Sequence, residues 1–184
     1  MKKRFIEKRA LAAVIFAAAA LLSTLASGSV ALNRERGKAE RIFTDGVESD
    51  GMSISYDLDQ RAEAAYNLAG VAKRYLGEDA PEIAELLSAR SGLVGAVEIS
   101  EKYDANLELS VAADALYSRL KEEELSEKDS TLAAGQYQDM LSHNDVISRD
   151  GYNSAALSFN RRLEGFPAAQ IAAIAGIEPL DTFN

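Results

Sequence analysis

The sequence predicts an all-α fold: an antiparallel up-and-down four-helix bundle with long first and last helices, preceded by an N-terminal transmembrane or signal-anchor helix. Three observations predict it. Alanine, leucine and glutamate, all good helix formers, dominate a chain of 184 residues that is 47% apolar and 27% charged. Three prolines and no Asn-Gly hairpin turn argue against an all-β fold. Apolar residues recur every three or four positions through long stretches, the period of a helix with one buried face. The length suits one folded domain with a real core plus an extra segment.

The anchor comes first. MKKRFIEKR leads into Ala10–Leu32, 23 residues without a charge. About 20 apolar residues cross a bilayer, and the basic leader holds the N-terminus on the cytoplasmic side. A second reading stays open, because Ser29-Val30-Ala31 and the small residues from Ser23 to Ser29 resemble a signal-peptidase site. Length and the helix that follows favour retention. The expected organisation is therefore residues 1–32 as anchor, 33–176 as the helical domain and 177–184 as a tail. It places the protein in a membrane as a single-pass chain with the helical domain outside the cytoplasm.

Asn33–Leu76 follows. Phe43, Val47, Asp50, Ile54, Leu58, Arg61, Ala65, Leu68, Ala72 and Tyr75 keep one three-four frame straight through Gly46 and Gly51. The preserved frame predicts one long helix that tolerates both glycines at about 1 kcal/mol each. A loop around Asp45–Gly51 is the alternative. Gly77 then ends the helix. Glu78-Asp79-Ala80-Pro81-Glu82 is a start signal, with Pro in the first turn. It opens a helix with Ile83, Leu86, Leu87, Leu93, Val94 and Val97 on one face, reaching about Tyr103, where Gly92 and Gly95 mark a close contact or a bend. A third helix runs from about Asp104 to Glu124, with Leu109, Ala112, Ala113, Leu116 and Leu120 inward. The charged run Lys121–Asp129 reads as a solvated end and turn.

The last strut is Gln136–Pro167. Tyr137, Met140, Leu141, Asn144, Ile147, Gly151, Tyr152, Ala155, Phe159, Leu163 and Phe166 form one apolar stripe over about eight helical turns. Tyr152-Asn153 and Phe159-Asn160 repeat an aromatic–Asn pair seven residues apart, on one side of the helix. Pro167 stops it. The apolar AAQIAAIAGIEPL that follows is too short to span a membrane and packs on the bundle end or near the interface.

The inventory of reactive groups is thin. The chain has no cysteine, which excludes a disulfide framework, thiol catalysis and cysteine-bound zinc. Formal net charge is −9 although residues 1–9 are basic, so the body is more acidic still and would be repelled by a phosphate backbone. Nucleic acid is not an expected partner. His143 is the one histidine, and a bundle di-metal site needs a Glu-x-x-His on each of two helices. Asp139, four residues before it, completes no such set, and a boundary histidine is the plainer reading. Ser-His-Asp chemistry would have to draw on Ser142 or Ser148, without a Gly-x-Ser-x-Gly elbow. No phosphate-binding glycine motif occurs. Glu122–Glu124, Glu127 and Asp129 lack the spacing of a calcium loop. No catalytic, cofactor-binding or metal residue is expected. Candidate interaction or register-setting positions are Arg61, Asn67, Asn106, Asn144, Asn153 and Asn160, since an amide inside a bundle must pair and thereby fixes register.

Some of these residues carry a resemblance. YNSAALSFNRRLEGFP (residues 152–167) resembles the closing Tyr-Asn, Tyr-Asn, Phe-Pro pattern of the LemA family. Ala105–Leu120 is similar to that family's Asn-Glu-Leu-Ser…Leu-x-Arg-Leu segment. Ile54–Leu76 resembles its Leu-x-x-Arg…Asn-Leu-x-x-x-x-Lys-x-Tyr helix, with Val47, Ile54, Leu58, Arg61, Asn67 and Leu68 in register. Leu87–Arg90 fits the family's Glu-Ala-Arg helix loosely. The likeness covers about residues 40–176. Gly51 stands where the family has Trp, Tyr66 where it has Pro, and Ile174–Ile177 where it closes on Gly-Leu-Phe-Gly-Phe. The resemblance implies a membrane-tethered helical bundle without established catalytic residues. Its members are often encoded beside membrane proteases or other envelope proteins, which implies an adaptor role by association.

The expected function is thus non-enzymatic: a tethered scaffold with a protein partner in the envelope and no cofactor. The alternative is a cleaved, secreted binding protein for a small ligand or cation drawn to the acidic surface.

Overall fold

The computed structural model describes the backbone of residues 2–47 and 51–184, with side chains from Arg9 onward. Among the described residues seven helices occur, in the order α1 (Lys2–Asp45), α2 (Ile54–Leu76), α3 (Pro81–Gly95), α4 (Ile99–Leu120), α5 (Glu127–Ser148), α6 (Tyr152–Leu163) and α7 (Ala168–Ala175). The described residues contain no strand. The fold is all-α, as the periodicity predicts.

Helices α2 to α5 are the bundle. Short connections run them up and down in turn, and α2 is their hub, packing on α5, α3 and α4. Its buried face carries Ile54, Leu58, Ala65, Leu68 and Ala72. Facing it are Ile83, Leu86 and Leu93 of α3, Leu109, Leu116 and Leu120 of α4, and Ala133, Met140 and Ile147 of α5. The stripes of the sequence are mostly the stripes of the core, although Leu141, on the predicted stripe within α5, is exposed. Val94 and Val97 are exposed, and so is Phe166.

Two predicted continuous helices are in fact broken. Asn33–Leu76 is not one helix: α1 stops at Asp45 and α2 begins at Ile54. Gly46 and Gly51 adopt φ of 84° and 81°, a left-handed backbone that no helix interior accepts. Ser53 then caps α2, its hydroxyl accepting from Tyr56 N at 3.1 Å and donating to Thr44 O at 3.0 Å. Val47, on the predicted stripe, is exposed. Asp50, also placed on that stripe, lies outside the described residues.

The strut Gln136–Pro167 divides as well. Arg149 ends α5, and Asp150 Oδ1 accepts from Tyr152 N at 2.7 Å to start α6. A short polar side chain that bonds the backbone two residues on competes with the helix ladder. The bundle's length therefore lies in α2, α4 and α5, of 23, 22 and 22 residues. The boundary expected near Tyr103 falls earlier. Glu98 and Glu101 form a reciprocal capping box that starts α4 at Ile99. A Cβ at Gly92 or Gly95 would meet nothing, so neither marks a close contact.

By contact density the chain forms two compact units, Met1–Lys38 with Leu157–Leu180, and Ala39–Ala156 with Asp181–Asn184. In the first, Ile171 of α7 comes so near Gly28 of α1 that a Cβ there would lie 2.5 Å from its Cδ1. Arg162 pairs with Glu35 in the same unit. Among the described residues α1 is the one helix long and apolar enough to cross a membrane. Leu11, Val14, Ile15, Phe16, Leu21 and Leu22 are all exposed along it.

Candidate interaction sites

The larger unit holds a polar seam through its apolar core. Arg61 sits on the buried face of α2 at 1% exposure. Its Nη1 donates to Asn106 Oδ1 and, at 2.7 Å, to Asn144 Oδ1; its Nη2 donates to Ser110 Oγ at 2.7 Å. Asn106 Nδ2 also donates to Asn144 Oδ1 at 3.2 Å, and Ser110 Oγ donates to Asn106 O at 3.0 Å. One cation thus binds α2, α4 and α5 through neutral acceptors. Arg61 Nε has no partner. Burial pushes the guanidinium down to about 10, while the charge of Asp114 pulls it back up. It stays charged at neutral pH.

One turn earlier on the same face, Asp57 is buried and its Oδ1 lies 2.7 Å from His143 Nδ1 of α5. The Tyr56 ring stands edge-on to the imidazole, centroids 6.3 Å apart. At the far end of α2, Tyr75 donates to Asp129 Oδ2 at 2.6 Å and accepts from Ser126 N at 3.2 Å, and Arg74 pairs with Asp129 at 2.7 Å. The Tyr75 hydrogen bond, before any nearby charge, holds the Asp129 carboxyl below the usual range. Tyr137 stacks on Tyr117 at 4.2 Å and donates to Asp114 Oδ1 at 2.7 Å. That hydrogen bond raises the Tyr137 phenol above its ordinary value.

The repeated asparagines on α6 do something else. Asn160 Nδ2 donates to Leu180 O at 2.8 Å, and its Oδ1 accepts from Leu180 N at 2.8 Å. Asn153 treats Phe183 likewise, at 2.9 and 2.7 Å. Each side-chain amide therefore pairs with one residue's backbone as a neighbouring strand would.

Of the candidate residues, Arg61, Asn106 and Asn144 converge in the core, and Asn153 and Asn160 grip the C-terminal segment. Asn67 is exposed on α2 and joins neither group. Sequence reasoning missed Ser110, Asp57 and the held residues Leu180 and Phe183. Asp57 carried a readable signal: it lies four residues before Arg61, a second charge on an apolar face. The tail carried one too, since Leu180 and Phe183 are the apolar residues of an otherwise polar end. Among the described residues no three His, Asp or Glu side chains gather as metal ligands.

Residues 51–184 match the model of a family described as LemA family. No curated protein matches the chain.

Proposed function

The chain belongs to the LemA family, and on that premise we propose that it is a membrane-tethered, non-enzymatic helical bundle that acts as a scaffold or adaptor for other membrane or envelope proteins. One observation carries the reading: the helix Arg9–Asp45 opens on an apolar stretch that the fold leaves exposed, and it leads into a bundle whose buried polar groups pair mostly with one another. The exposed Leu11, Phe16 and Leu22 need a low-dielectric cover, and a bilayer supplies it. The interior polar groups serve helix register, which suits a rigid adaptor better than a catalyst. The basic leader directs the bundle to the extracytoplasmic side, and the tether restricts its partners to those reachable near the membrane.

Carbonate extraction of native membranes, protease protection and cross-linking mass spectrometry test this together. The expected outcome is an intact N-terminus in the carbonate-resistant fraction, a bundle digested only from the extracytoplasmic side, and a reproducible membrane or envelope protein cross-linked to it. A soluble mature chain beginning near Leu32, without such a partner, would overturn the reading.

A further inference from the structure

The last four residues of the larger unit are held as a ligand is held. Phe183 is 6% exposed, its ring edge-on to Tyr103 at 5.3 Å and tilted against Phe43 at 5.9 Å, while Phe43 is itself edge-on to Tyr152 at 5.2 Å. The Asn153 amide takes both the N–H and the C=O of Phe183. The Tyr152 hydroxyl donates to Asp181 O at 2.5 Å, and the Ser100 hydroxyl to Asp181 Oδ2 at 3.3 Å.

These contacts divide by what they read. The Asn153 pair and the Tyr152 hydroxyl read backbone and would accept any extended chain. The aromatic pocket selects a ring, since edge-to-face packing rewards an aromatic side chain over an aliphatic one. Ser100 marks an acidic residue two positions earlier. The residues that do this come from the helices α1, α4 and α6, while the segment they hold has neither helix nor strand from Gly176 onward. Helices thus supply the site, and a segment without regular structure fills it.

We propose that Phe43, Ser100, Tyr103, Tyr152 and Asn153 form a recognition site for an extended Asp-x-Phe segment, filled by the chain's own C-terminus and open to the same segment from a second copy. The second copy is the occupant to which the geometry commits. Its tail carries the one sequence known to satisfy every contact, and exchange between identical chains reforms each bond it breaks. The proposal rests on the tethered-scaffold reading only in letting copies share one membrane plane, where local concentration favours exchange.

The test uses full-length chains in detergent, so it does not depend on the anchor, and carbonate extraction can fail without touching it. One partner carries Asn153→Ala, which weakens its site and keeps its tail. The other carries Phe183→Ala, which disables its tail and leaves its site vacant. Mixed at equal concentration they are expected to give a one-to-one heteromer by native mass spectrometry, at least tenfold more abundant than the dimer of either variant alone. The heteromer should vanish when the tail donor carries both substitutions. A mixture that stays monomeric while both variants keep wild-type helical circular dichroism would overturn the proposal.

Should Phe183→Ala not fold, the wild-type chain decides instead. A peptide spanning Glu178–Asn184, with benzoylphenylalanine in place of Phe183, should photo-cross-link to Phe43, Ser100 or Tyr103. Unlabelled peptide should compete, and its Phe-to-Ala version should not. No cross-link at these residues, or equal competition by both peptides, counts against the site.

Discussion

Arg61 shows at the level of one residue why a buried charge is weak evidence for stability and good evidence for specification. A guanidinium taken out of water costs several kcal/mol unless its donors are met, and here neutral oxygens from α4 and α5 engage both Nη atoms while Nε has no partner. Arg61→Ala leaves the buried Asn106 and the half-buried Asn144 and Ser110 without the guanidinium they accept from, and a cavity beside them. Chemical denaturation followed by circular dichroism should show a loss of about 1–3 kcal/mol. Replacing Arg61, Asn106 and Asn144 together by Met, Leu and Leu should instead be neutral or stabilising by about 1–4 kcal/mol, because nothing is then left unpaired. The triple variant's hydrogen exchange would reveal whether the helices keep one register.

Tyr137 gives a pH dependence with a fixed sign. Its folded phenol titrates above the unfolded value of about 10, chiefly through the hydrogen bond to Asp114. The stabilisation it brings is therefore complete below about pH 10 and is lost as pH rises through the folded value. In Asp114→Asn the tyrosinate absorbance near 295 nm should rise at lower pH than in wild type. An unmoved midpoint would mean that Asp114 is not the cause.

At the scale of the element, the decisive features are the helix breaks. Asp45-Gly46 and Asp150-Gly151 lie where helices end or restart, and the left-handed Gly51 stands just before the Ser53 cap. A hydrophobic frame that runs on through such a pair is no proof of a continuous helix, because a short break can return the chain to the same face. Ser53 fixes the start of α2 with one hydroxyl that both accepts and donates, at 1% exposure. Ser53→Ala should cost about 1–2 kcal/mol in thermal or chemical denaturation, the upper range for a cap because the hydroxyl is buried. A change within about 0.3 kcal/mol would show that the turn holds itself without the cap.

At the scale of the whole molecule, two kinds of surface are kept apart along the chain. The first stretch of α1 exposes large apolar side chains, Phe16 at 76%, whereas the bundle buries its apolar stripes. A charge placed at the middle of the exposed stretch should oppose insertion by about 3 kcal/mol. Phe16→Arg is expected to move a measurable share of the protein into the carbonate-soluble fraction, while Val111→Arg, on an exposed face of α4, should not. Equal partition of both variants would remove the distinction between the apolar start of α1 and the bundle surface.

The sequence by itself determined the helical class, the apolar N-terminal stretch, the bundle's buried faces and the family likeness. Periodicity and composition are local properties, and each residue on a stripe needs only its own helix to announce itself. Arg61 could be placed on the core face of α2, because four neighbours spaced by threes and fours are apolar. That Asn106 and Asn144 meet it, or that Asp57 meets His143, was decided only by the tertiary structure. Those contacts join residues 45 to 86 positions apart, and no spacing along one helix reports them. The same holds for α6. Its asparagines were visible as a pair on one side, but what they hold is an extended tail with no period of its own, ordered only by the amides and aromatic rings that the folded helices bring to it.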